Sequence, residues 1–271
     1  MKYLLLLLSF VVVFGLSGCG AKTHTNHENH NMNNMNHETK EEKDSTKVSF
    51  SFNGNPVSGT NTTLNIQVNN LNGKPVSQFE LEHEKLMHLI VVSKDLSFFD
   101  HLHPQYNGKG LFTVTPNFPY GGEYKLFADF IPMGSTKNVK TRLVDVSGKP
   151  NKPIPLIADK VLTKVVDRKE VTLKFDQLKT DKEVKMTFTI KDATTKNAIT
   201  NLQPYLGAIG HVVAISSDTN TYLHVHPMNE KSSGPDAEFM TSFPKKGLYK
   251  IWGQFKQNGK VFIVPFVVDV P

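Results

Sequence analysis

The sequence predicts an all-β chain: two tandem immunoglobulin-like, Greek-key β-sandwich domains behind a signal peptide and a disordered His-rich tail. Three observations carry this. Short apolar alternations such as Val48, Phe50, Phe52 and Leu64, Ile66, Val68 recur between Asn, Gly and Pro turns, which is the period of half-buried strands. No stretch sustains a helical stripe. One block of the chain is written twice.

The first element, residues 1–18, reads as an export signal. Met1-Lys2 is a short positive start, and Tyr3 to Phe14 is an apolar run too short and wrongly flanked for a membrane span. Leu16-Ser17-Gly18-Cys19 closes it and resembles the bacterial lipobox. The resemblance implies that the Cys19 thiol is acylated, by palmitate or a similar chain, and becomes the mature N-terminus. Two or more acyl chains give stable anchoring, so the expected location is extracytoplasmic, on the bacterial cell membrane. Cys19 is the single cysteine. Disulfides within the chain, Cys-based zinc sites, c-type haem attachment and a His/Cys blue-copper centre are thereby excluded.

Residues 19–46 read as a tether. The segment is rich in Asn and His and lacks apolar periodicity, so it cannot offset its chain entropy by burial. His24, His27, His30 and His37 accompany Met32 and Met35 there. Imidazole with thioether suits copper in both oxidation states; the other reading is a polar spacer in which these residues are incidental.

The repeat defines the remaining elements, residues 47–158 and 159–271. His88-Leu89-Ile90-Val91-Val92-Ser93 and Phe99-Asp100-His101-Leu102-His103-Pro104 recur, at one fixed offset, as His211 to Ser216 and Tyr222-Leu223-His224-Val225-His226-Pro227. Phe118-Pro119, Gly122, Tyr124, Phe127 and Phe130 recur two residues further on as Phe243-Pro244, Gly247, Tyr249, Trp252 and Phe255. Each tyrosine follows a Gly turn at a strand start, as a corner tyrosine does. A hydrophobic content of 38% with 18 Phe is enough for two cores. The net charge of +6 is spread along the chain, a solvated surface rather than a nucleic-acid stripe.

Six of the eleven histidines are the repeated ones, four are in the tail, and His83 is left over. His88, His101 and His103 fall on one hairpin. Alternation puts His101 and His103 on one face, and pairing with either brings His88 to it. The same holds for His211, His224 and His226. Three convergent neutral imidazoles suit Cu(II), Zn(II) or Ni(II), copper being favoured by the Irving–Williams order. Met87, Met133, Met228 and Met240 are candidates for a further ligand, although methionine more often fills gaps. The competing reading is structural: Ile90, Val92 and Phe99 share that face, and buried imidazoles can be held by backbone carbonyls.

The paired His-Leu-His-Pro and His-Val-His-Pro hairpins with the downstream Phe-Pro, Gly and Tyr motif resemble the YtkA-like, heavy-metal-associated β-sandwich proteins and lipoproteins of bacteria. The resemblance covers both repeats and implies metal association rather than a reaction. The expected function is a membrane-anchored lipoprotein binding copper first and zinc second, for storage, delivery to a membrane transporter or another envelope protein, or sensing. The alternative is a non-catalytic Ig-like module that holds a partner protein. No Ser/His/Asp order, phosphate loop or carboxylate pair argues for an enzyme.

Overall fold

The structure, a computed structural model, describes residues 46–271. Cys19 and the tail residues His24, His27, His30, Met32, Met35 and His37 lie outside the described residues. Every regular element described is a strand, as the turn-punctuated alternation requires.

In the first repeat, β1 (Thr46–Phe52), β2 (Leu64–Asn70), β3 (Met87–Ser93), β4 (Phe99–Leu102), β5 (Gln105–Tyr106), β6 (Leu111–Val114), β7 (Gly122–Phe130) and β8 (Asn138–Val146) form two antiparallel sheets. Their orders are β1-β2-β6-β5 and β4-β3-β7-β8. Leu64, Ile66, Val68, Phe112, Leu89, Val91, Leu126 and Ala128 fill the space between them. The second repeat comprises β9 (Thr163–Val166), β10 (Lys169–Phe175), β11 (Glu183–Asp192), β12 (Gly210–Ser216), β13 (Tyr222–Pro227), β14 (Asp236–Ser242), β15 (Gly247–Gln257) and β16 (Lys260–Val270). Here β13 runs unbroken and pairs first with β12 and then with β14, joining both sheets into one eight-stranded order. In the first repeat the same path is interrupted at His103 and Pro104 and becomes β4 and β5, although the equivalent Pro227 of the second repeat stays within β13.

The tyrosine motif is a corner in both repeats. The Tyr124 hydroxyl donates to Tyr120 O (2.9 Å) and the Tyr249 hydroxyl to Lys245 O (3.0 Å), with both rings buried. Phe118 and Phe243 pack on them edge-on at 4.9 Å.

The two sandwiches belong to one compact unit and share a third core. β3 and β12 are buried on both faces. One face of each fills its own sandwich; the other meets the opposite repeat through Ile90, Val92, Leu96, Phe127, Val213, Ile215 and Trp252. The contacts come in mates. Phe99 stacks on Trp252 (4.6 Å), and their counterparts Tyr222 and Phe127 stack on each other (5.1 Å). Lys250 Nζ donates to Leu96 O (2.8 Å), and its counterpart Lys125 donates to Thr219 O (2.6 Å). Both acceptors are left-handed turn residues, with φ of 57° and 59°. Reciprocity of this kind is what a two-fold axis imposes, so the repeats face each other as the halves of a symmetric dimer.

Candidate metal centre

The hairpin register is one of the two that the alternation allows. Leu89 opposes Leu102 and Ile90 opposes His101, so the next positions along are His88 and His103. In the second repeat Val212 opposes Val225 and Val213 opposes His224, which brings His211 level with His226. His88, His101 and His103 come together, one nitrogen of each lying within 4.8 Å of the others.

The second trio is differently composed. The structure groups His211 and His224 with His83, the histidine that the repeat leaves unassigned. For His226 only the backbone is described, paired with Met240. The hairpins are also not two separate places, because the shared core sets them face to face. Ring centroids of His88 and His224 lie 5.3 Å apart, those of His83 and His211 4.6 Å, and those of His101 and His211 6.0 Å. The imidazoles therefore form one centre across the junction. Methionine does not complete it in the expected way. Met87 follows the strand alternation into the first sandwich core, away from His88. Met133 and Met228 are exposed, and Met240 is half-buried on β14.

His83 enters by a turn. Glu82 and Lys85 exchange backbone hydrogen bonds of 2.9 and 3.0 Å, with His83 (φ 47°) and Glu84 (φ 65°) between them. This is a two-residue loop with both central residues left-handed, a geometry that favours Asn-Gly. The second repeat places Leu206-Gly207 at the same point, between Tyr205 and Ala208. The first repeat instead holds two bulky residues in left-handed backbone, at a cost of order 1–3 kcal/mol each, and so turns an imidazole towards the centre.

Hydrogen bonds set the tautomers. His88 Nε2 lies 2.9 Å from Glu82 O; a carbonyl only accepts, so this nitrogen carries the proton. His88 Nδ1 is then an acceptor, and His101 Nε2–H donates to it (2.9 Å). Neutral His101 accepts at Nδ1 from the Gln254 amide nitrogen (3.0 Å). His224 Nδ1 lies 3.0 Å from Asp129 Oδ2 and 3.1 Å from Lys137 Nζ. It cannot donate to the first and accept from the second at once. The carboxylate is the stronger partner for an N–H, so Nδ1 carries the proton, and in the neutral ring Nε2 is the atom that can bind metal. His103 Nε2 is buried and makes no hydrogen bond.

Burial favours the neutral form of five of these rings. Desolvation lowers the pKa of His83 and His88 and takes His101 well below the ordinary value. It also lowers His103 and His211 to about 3. A cluster of neutral imidazoles is a donor set for borderline transition metals. One side carries carboxylates as well: Asp129 is fully buried, and Glu82 lies beside it. Neither was singled out by sequence pattern, nor was Lys137, which bonds to both.

The family described as a domain of unknown function, DUF8832, matches the chain twice, at residues 41–148 and 164–271. No curated protein is significantly similar. Among solved structures, the Escherichia coli adhesin FdeC is similar at 16% identity and a TM-score of 0.30, over 84% of this chain and 66% of that one. A two-domain fibronectin type III segment of chicken tenascin is 11% identical with a TM-score of 0.25, over 83% and 99%. The bacterial integrin-binding protein invasin is 11% identical with a TM-score of 0.25, over 82% and 40%. The chain thus spans just under two thirds of FdeC and two fifths of invasin.

Proposed function

We propose, for a chain that belongs to the DUF8832 family and carries two copies of its domain, that it is an extracytoplasmic metal-binding lipoprotein. Copper is its first candidate ion and zinc its second. One observation carries the metal: six imidazoles, His83, His88, His101, His103, His211 and His224, meet at the junction of the two repeats. The strained His83–Glu84 turn and the unbonded His103 nitrogen support the same reading. Anchoring rests on Cys19 and its lipobox-like context. Storage, delivery to an envelope transporter, and sensing all use a centre of this kind.

The tautomer chain from Gln254 through His101 and His88 to Glu82 O favours a second reading, since hydrogen-bonded imidazoles also serve as struts. On that reading the protein is a non-catalytic interaction module. Isothermal titration of the mature chain with Cu(II) and Zn(II), against a variant with His88, His101 and His211 replaced by Ala, separates the two. The metal centre predicts loss of at least one equivalent; an undiminished stoichiometry in the folded variant leaves the strut reading.

A further inference from the structure

We propose that Lys137 is a cation built into the chain, holding shut a second, carboxylate-bearing metal subsite made by Glu82, Asp129 and His224. The inference rests on the metal-binding reading of the centre and assigns its carboxylate side. One atom from each of the three residues lies within 4.8 Å of the others. Lys137 Nζ stands among them, 2.8 Å from Glu82 Oε1, 3.1 Å from Asp129 Oδ2 and 3.1 Å from His224 Nδ1. An ammonium therefore contacts every residue that would ligate an ion.

The place has the marks of a cation site. Asp129 is fully buried; its Oδ2 also accepts from the Tyr222 hydroxyl (3.0 Å), while its Oδ1 accepts no hydrogen bond. A buried carboxylate requires a cation or several donors. Two carboxylates, Glu82 and Asp129, face this one ammonium. Carboxylate oxygens with one imidazole suit harder ions than the all-imidazole sets do, Mn(II) among them. His224 belongs both to this set and to the set with His83 and His211. By filling the carboxylate side, Lys137 leaves His224 to the imidazole side.

Among the described residues, nothing equivalent exists in the second repeat. Gln254 replaces Asp129, Tyr205 replaces Glu82, and β15 turns into β16 through Asn258-Gly259 alone. The segment 131–137 that delivers the lysine in the first repeat has no counterpart there.

Mn(II) binding to the full chain, followed by equilibrium dialysis and electron paramagnetic resonance, tests the proposal on wild type, Lys137→Met and Lys137→Met/Asp129→Asn. The tail is common to all three, so its contribution cancels. Lys137→Met is expected to take one more equivalent than wild type, and the added Asp129→Asn to remove it. A folded Lys137→Met protein with wild-type stoichiometry overturns the proposal and makes the lysine a structural ion-pair partner. If burying two carboxylates unfolds Lys137→Met, recovery of its cooperative melting on adding Mn(II) is the same positive result. Lys137→Gln, which keeps a donor for one carboxylate, is scored by the same gain. Wild type that binds Mn(II) and loses it on Glu82→Gln also overturns the proposal. Failure of the metal reading itself shows separately, as absence of Cu(II) and Zn(II) binding by wild type.

Discussion

Asp129 and Gln254 occupy equivalent strand positions in the two repeats, opposite His88 and His211, and each reaches across the junction to the other repeat's hairpin. Asp129 Oδ2 meets His224 Nδ1 at 3.0 Å, and the Gln254 amide meets His101 Nδ1 at 3.0 Å. The same buttress is thus built once with a carboxylate and once with an amide. A carboxylate fixes Nδ1–H and presents Nε2 to a metal. An amide supports either tautomer, since it offers N–H or C=O.

Changing these two residues is expected to move metal affinity in opposite directions. Asp129→Asn weakens the hold on His224 and lowers affinity by about 10–100-fold, the usual range for outer partners of a ligating His. Gln254→Glu fixes His101 in the form with Nε2 free and raises affinity. Competition titration with a chromogenic chelator reads both. An unchanged affinity in Asp129→Asn counts against the carboxylate as buttress.

Because the hairpins share one centre, their losses should not add. Replacing His101 and His103, or His211 and His224, each removes part of one cluster, and the double change costs less than the two separate losses combined. Strictly additive losses in a double-mutant cycle are the signature of two independent sites.

The stacked pairs hold the centre closed. Trp252→Ala removes a buried ring from the junction and the stack on Phe99; the expected cost is about 3–5 kcal/mol. Metal affinity should fall with it, since the two halves are no longer held in register. Chemical denaturation and titration of the same preparation test both, and a destabilised variant with intact affinity separates the core from the site.

Acid is expected to destabilise the metal-free protein through the buried imidazoles. In the unfolded chain histidine titrates near 6.5, while burial lowers His103 and His211 to about 3 when folded. Between those values the unfolded state binds more protons. The contribution is complete above pH 6.5 and is lost as pH falls towards 3. Urea midpoints at pH 7.5 and 5.0 should show the lower midpoint at 5.0. Metal should widen the difference, because acid also protonates its ligands.

Cys19→Ser should release the chain from the membrane fraction or leave it unprocessed, and should abolish fatty-acid labelling. Equal membrane retention of processed mutant and wild type argues against the anchor.

The hairpin geometry was legible because strand alternation is rigid: His101 and His103 share a face in any register, and one register step brings His88 to them. The repeat was legible because it preserves three histidines at one offset. The meeting of the two hairpins was not. Its signal lay in Met87–Val92 and Gly210–Ser216, which are apolar without alternation, as strands covered on both sides are. Ile90, Val92 and Phe99 read as the edge of one core, and they are the middle of another. His83 was missed because it stands outside the repeat, in a turn whose counterpart is Leu206-Gly207. Asp129 was missed because a lone carboxylate in an apolar strand has no motif, and its partners His224 and Tyr222 are far along the chain.

A dimer assembled from two identical subunits must carry the same residue on both sides of its axis. Fusing the halves in one chain lifts that obligation. The pairs Asp129 and Gln254, His83 and Leu206, Glu82 and Tyr205 are differences that an assembly of two identical chains could not keep. They turn a symmetric cradle into one with a charged wall and a neutral wall. An ion held there meets a directed field, and covalent linkage is what gives the junction a front and a back.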